Sequence, residues 1–151
     1  MKRRLENIFD SVENYNCFAC GPNHPFGLHL TFEYDDAVDE VSCLIRPDML
    51  FAGFPGILHG GIQATILDEV AFWGTWGKHG RSGFTYDLTI RYRQKCPVET
   101  TIEAIGIVHD EEKRLVPVDV VLRNPDTGMI YTDGRVRYYL PRMDPRNSGG
   151  K

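Results

Sequence analysis

The residues best suited to chemistry are His59-Gly60-Gly61 followed by Asp68 and Glu69. Paired glycines behind a histidine suit a helix start, where free backbone N–H groups bind anions or polarised carbonyl oxygens. The missing Cβ also lets a ligand approach the main chain. A tightly packed loop–helix junction would use the same residues. Asp68 falls in an otherwise apolar stretch, and a buried carboxylate is costly unless paired or used. Burial raises its pKa toward that of a working base. Glu69 diverges from Asp68 by roughly 100° on a helix, so one of the two acids is expected at solvent or at a subunit interface. Gly60 and Asp68 are eight residues apart, roughly 12 Å along a helix axis. Both cannot reach one small reacting group within a single chain. Catalysis by both therefore requires a second copy, most simply in a two-fold dimer.

Other groups carry weaker signals. His59 could act as a base, but a histidine just ahead of a helix more often fixes the loop by hydrogen bonds. Gln63 lies in the first helical turn. Cys17 and Cys20 in CFAC have metal or redox spacing, yet there is no second CxxC. His24, His29, Cys43 and Cys96 complete no standard ligand pattern, so a reduced, metal-free pair in a tight loop is expected. Arg91, Arg93 and Lys95 alternate along one strand face with Thr85, Asp87 and Thr89. Such a strip could receive phosphates or simply face water. Arg135 and Arg137 form a weaker set of the same kind. Phe51, Phe54, Phe72 and Trp73 suggest an apolar pocket, although Trp73 and Trp76 also suit a core.

These residues need elements to hold them. Leu5, Ile8, Phe9 and Val12 at helical spacing predict a short amphipathic helix over 3–14. Leu28, Leu30, Phe32 and Tyr34 alternate with His29, Thr31 and Glu33, which predicts a half-buried strand over 27–34. A second strand is expected over 41–46. The uncharged run 49–67 contains Pro55 and four glycines, so it reads as a buried loop entering a buried helix rather than a membrane span. The helix is apolar nearly all round, which makes it central, and Gly77 and Gly80 are expected to end it. Strand-like runs follow over 84–95, 100–109, 114–123 and 129–140. Their short connectors favour an antiparallel meander. One helix cannot cover both faces of such a sheet, whereas a curved sheet wrapped around the helix buries one face. The class is α+β, with about six strands.

At 151 residues the chain suits one domain over 15–140, with a helical extension over 1–14 and a disordered tail over 141–151. Hydrophobic residues at 42% and charged residues at 25% exclude bulk disorder. A formal net charge of -4 argues against nucleic acid as a partner. Four cysteines, and an opening MKRRLENIFD without an apolar stretch, point to a reducing, cytoplasmic setting.

GFPGILHGGIQATILDE followed by TYDLTIRYRQKCPV, with the leader CFACGPNHPFGLHL, resembles the hot-dog-fold thioesterases of the phenylacetate-pathway (PaaI-like) group over about residues 15 to 140. The resemblance implies a hot-dog fold, dimers or dimers of dimers, and hydrolysis of acyl-CoA without metal or cofactor. Position by position, it implies that Gly60 supplies the N–H that polarises the thioester carbonyl. Asp68 of the other subunit becomes base or nucleophile, and Thr85 positions water or the acid. His59, Gly61, Gln63, Glu69, Arg91 and Arg93 would line the substrate. Members often carry a side-chain amide six residues before the histidine. This chain has Gly53 there, and Gln63 is the candidate substitute. The resemblance leaves two alternatives open, a non-catalytic acyl-CoA binder and a hot-dog hydratase or dehydratase. The D-x4-H spacing of the latter does not occur.

Overall fold

The computed structural model describes residues 1–142, so most of the expected tail lies outside the described residues. Seven strands, β1 (Lys2–Arg4), β2 (Glu33–Asp35), β3 (Glu40–Ile45), β4 (Phe84–Tyr92), β5 (Ile102–Val108), β6 (Leu115–Arg123) and β7 (Ile130–Tyr139), surround one helix, α1 (Gly60–His79). They form a single antiparallel sheet in the order β1-β2-β3-β5-β6-β7-β4. The helix packs on β3 through β7, giving the hot-dog arrangement. Alternation drives it. In β6, Val116, Val118, Val120 and Leu122 are buried and point at α1, while the intervening residues face outward. The helix answers with Ile66, Leu67, Val70 and Trp73, all at most 1% exposed. No helix among the described residues is long and apolar enough to cross a membrane.

The N-terminal expectation fails. Residues 3–14 form no α-helix; β1 pairs with β2, and a 3-10 turn follows at Ile8–Ser11, capped by Asn7. Of the four residues at helical spacing, Leu5 joins the core and Phe9 packs against it, while Ile8 and Val12 are exposed. An open sheet edge overrides local periodicity here. The 27–34 strand is also shorter than expected. Leu28, Leu30, Phe32 and Tyr34 are buried, but Leu28 and Leu30 N–H donate to Phe18 and Ala19 of the leader loop, not to a sheet neighbour. His29 adopts a left-handed φ of 51°, which breaks the ladder.

Two corrections concern the helix and its approach. Gly77 does not end α1. It lies within the helix, where a Cβ would come 2.6 Å from the Tyr34 ring, so glycine lets helix and sheet approach closely. Gly80 alone caps it, in the left-handed region. The segment before α1 is not buried either. Met49, Leu50 and Phe54 are exposed, because Asp48 caps a 3-10 turn at Met49–Phe51 that carries the chain over the surface.

Candidate active site

The helix start is built from His59. Its Nδ1 accepts from Gly61 N–H at 2.9 Å, so the ring satisfies one of the orphan donors of the first turn. Gly60 N–H meets no acceptor among the described residues, while the Gly60 carbonyl accepts from the Tyr92 hydroxyl at 2.8 Å. Gly60 lines a cleft of about 520 Å³ together with Leu58, Gln63, Tyr92, Arg93 and Lys95 among others. Phe54 stands at a second hollow against His59 and Gly60. The Gln63 side chain is buried and committed. Its Nε2 donates to Leu58 O at 2.9 Å and its Oε1 accepts from Thr132 Oγ1. It therefore ties the entering loop to β7 and is poorly placed to replace the amide missing at Gly53.

Two turns further along α1, Asp68 accepts a hydrogen bond from Thr85 Oγ1 at 2.6 Å. Strict alternation would place Thr85 on the outer face with Asp87. The ladder between β4 and β7 instead slips between Thr85 and Asp87, so Thr85 stands opposite Tyr138 and Asp87 opposite Arg137. The bulge at Tyr86 thus turns Thr85 to the helix face. Burial lifts the Asp68 pKa above the usual carboxylate range, and the Thr85 hydrogen bond opposes that rise. Asp68 lines a separate cleft of about 290 Å³, with Phe9, Phe72 and Tyr138 as apolar walls.

Glu69 lines the same cleft, so the expected separation of the two acids into different environments fails. The leader folds over this part of α1 and shelters both carboxylates. Cys17 Sγ donates to Glu69 Oε1 at 3.8 Å, and Cys20 Sγ lies 2.9 Å from the Tyr15 hydroxyl. Burial, followed by the nearby Cys17 sulfur, pushes Glu69 up to about 7. Hydrogen bonding from Cys20 holds Cys17 down at about 5, and the same contact pushes Cys20 up.

The basic residues divide sharply. Arg137 grips the Asp87 carboxylate through two donors, Arg135 pairs with Asp119 at 2.7 Å, and Arg93 pairs with Asp133 at 3.1 Å. Arg135 and Arg137 are thereby neutralised on the outer face. Among the described residues, Arg91 and Lys95 have no carboxylate partner, and of these two only Lys95 lines the Gly60 cleft. Phe72 lines the acid cleft, while Trp73 is 1% exposed and stacks on Phe32 in the core. Sequence reasoning did not single out Tyr92, whose hydroxyl fixes the first helical turn; nothing in its spacing marks it.

The structure thus groups Gly60, His59, Gly61 and Gln63 at one end of β4, with Asp68, Glu69 and Thr85 at the other. A family model described as the thioesterase superfamily matches residues 55–131. Among curated relatives, acyl-coenzyme A thioesterase THEM4 of Xenopus laevis is 28% identical over 107 residues, covering 71% of this chain and 48% of the relative. The chain therefore spans about half the length of that relative. Among solved structures, protein RHA08564, a thioesterase superfamily protein, superposes with a TM-score of 0.73 at 22% identity, over 82% of this chain and 59% of that one. The structure of smu.793 from Streptococcus mutans bound to acetyl CoA superposes with a TM-score of 0.63 at 16% identity, over 68% and 82% of the two chains. At these identities the structural likeness speaks for the fold.

Proposed function

The chain belongs to the thioesterase superfamily, and from that premise we propose that it hydrolyses an acyl-CoA thioester to free acid and coenzyme A. The observation that carries this reading is the 2.6 Å Thr85–Asp68 hydrogen bond, with Asp68 lining a mostly apolar cleft. The acceptor-free Gly60 N–H stands at the opposite end of the same strand. β4 is the last strand of the sheet, nine residues long, with Phe84, Tyr86 and Tyr92 exposed along it. The opposite edge strand has three residues, Lys2, Arg3 and Arg4, the short charged form that discourages pairing. A two-fold axis near Leu88 pairs β4 with its own copy, antiparallel, and sets the Thr85 end of one chain against the Tyr92 end of the other. Asp68 then shares a site with the partner's Gly60. The assembly is a homodimer or a dimer of dimers.

In this site Asp68 takes a proton from water as the water oxygen attacks the thioester carbon. The carbonyl oxygen gains negative charge, which the partner's Gly60 N–H stabilises at no cost in reorganisation. The carbon–sulfur bond then breaks and coenzyme A leaves as thiolate. No step passes through a metal ion. Thr85 holds Oδ1 of Asp68, leaving Oδ2 for the water, and so acts as a positioning residue. Lys95, the unpaired cation of the Gly60 cleft, receives a phosphate of coenzyme A, while Phe72 and Tyr138 bound the acyl group. The leader and the helix-start pattern favour the PaaI-like group and a cytoplasmic enzyme.

One observation favours a second reading, non-catalytic acyl-CoA binding: Gly53 offers no side-chain amide, and Gln63 has spent its own. A hydratase is disfavoured because the ring of His59 is occupied as a helix cap. A thiol-release assay over a panel of acyl-CoA esters tests the proposal. Release of free coenzyme A supports hydrolysis, and saturable binding without release replaces it with the binder.

A further inference from the structure

The leader and the middle of α1 bring together three groups that hydrolysis does not use. Sγ of Cys17, Sγ of Cys20 and a Glu69 carboxylate oxygen all lie within 4.8 Å of one another. The CFACG segment folds as a tight knuckle to achieve this. Cys20 N–H donates to Cys17 Sγ at 3.4 Å, and Gly21 N–H closes the turn on Cys17 O at 2.9 Å. A Cβ on Gly21 would lie 2.5 Å from that same oxygen, so only glycine fits the turn. An outer layer of polar groups orients the ligands. The Tyr15 hydroxyl is 2.9 Å from Cys20 Sγ, and Asn7 Nδ2 donates to Tyr15 Oη and to the Cys20 carbonyl at 3.3 and 3.0 Å. Such second-layer contacts are characteristic of metal centres.

Charge argues in the same direction. The cleft beside this cluster contains two carboxylates, Asp68 and Glu69, and two thiols, yet no lysine, arginine or histidine lines it. No side-chain cation thus competes with a metal ion for these ligand atoms.

We propose that Cys17, Cys20 and Glu69 bind a divalent metal ion of the zinc type, with its fourth position open to the cleft that Asp68 lines. Two sulfur ligands select a soft or borderline ion over magnesium or calcium. Three protein ligands with one open position match exchangeable zinc sites rather than closed structural ones. Cys-x-x-Cys supplies only two ligands in sequence. The third comes from 52 residues downstream of Cys17, which is why spacing alone reads as an incomplete set. The ion would pin the leader to α1, beside the hydrolytic step but not within it, and the inference is independent of the hydrolytic reading.

The test is a cobalt(II) titration of chelator-treated full-length protein, kept reduced with a phosphine. The expected result is one equivalent of cobalt per chain, sulfur-to-cobalt charge-transfer absorption with visible bands of tetrahedral type, and displacement by zinc. Cys17→Ser and Cys20→Ser should each weaken cobalt binding by about 100-fold or more, and Glu69→Gln by about 10-fold or more. Cys43→Ser and Cys96→Ser should bind as the wild type does. Absence of the charge-transfer band overturns the proposal, as does a band that survives Cys17→Ser or depends on Cys43 or Cys96. Should the cysteine variants fail to fold, alkylation of the wild type decides. Zinc should slow labelling of Cys17 and Cys20, and equal labelling with and without zinc overturns the site.

Discussion

The two ends of β4 hold chemistry of opposite kinds. At the Tyr92 end the working group is main chain: a Gly60 N–H left open because His59 satisfies its neighbour, with Lys95 and Arg93 close by. At the Thr85 end it is a side chain: a sheltered carboxylate of raised pKa, held by one hydroxyl and walled by aromatic rings. One end is suited to receive negative charge and the other to take a proton. A single chain keeps them apart, and the proposed two-fold assembly through β4 would join them. The division means that each half should be removable on its own, with a different signature.

The largest effect is expected at the acid end. Asp68→Asn keeps size and helix but removes the negative charge, and kcat should fall by about 10² to 10⁴. Acyl-CoA should still bind, as measured by calorimetry. Full activity in this variant would dissolve the contrast between the two ends. At the other end, Gly60→Pro removes the N–H at the first helical position, where proline is otherwise well accommodated. His59 already has the extended backbone that a following proline requires, with φ -55° and ψ 134°. A loss in kcat of about 10² to 10³ is expected, with the Tyr92 ring giving way to the added Cβ, 3.3 Å from it; a melting curve checks that the fold is kept. A smaller effect belongs to Thr85→Ala, which leaves Asp68 ionisable but unheld. Its kcat should drop by about 10-fold, and Thr85→Ser should restore it. Lys95→Ala should raise KM by several-fold, on the order of 1 kcal/mol for an exposed charge pair, and leave kcat unchanged, since phosphate contacts form equally in ground and transition states. Arg135→Ala should leave KM unchanged, because its charge is already spent on Asp119.

These two ends also differed in how far they could be read from sequence. The helix start was legible, because a histidine and two glycines ahead of an apolar run leave few other structures open to the chain. The strands of the meander were legible for the same reason: β6 alternates over its whole length, and its observed bounds fall within a residue of expectation. The acid end was legible in Asp68 and, through the family resemblance, in Thr85, but periodicity hid how Thr85 reaches the acid. A bulge of one residue at Tyr86 reverses which face Thr85 occupies, and alternation carries no sign of it. Asp68 and Glu69 share one cleft because the leader returns over α1, a contact between distant segments that local periodicity cannot express. The fate of Arg135 and Arg137 was hidden likewise, since their carboxylate partners come from neighbouring strands set by register.

The central claim is that one site draws Asp68 from one chain and Gly60 from another, and mixing the two inactive variants tests it most directly. Asp68→Asn and Gly60→Pro chains, combined in equal amounts and allowed to exchange subunits, should form mixed dimers in half of all pairs. In each mixed dimer one site regains both intact groups and the other loses both. The account predicts recovery of about a quarter of wild-type activity from two preparations that are each nearly inert. Activity that stays at the level of the separate variants, with exchange verified by differently tagged chains, would contradict it.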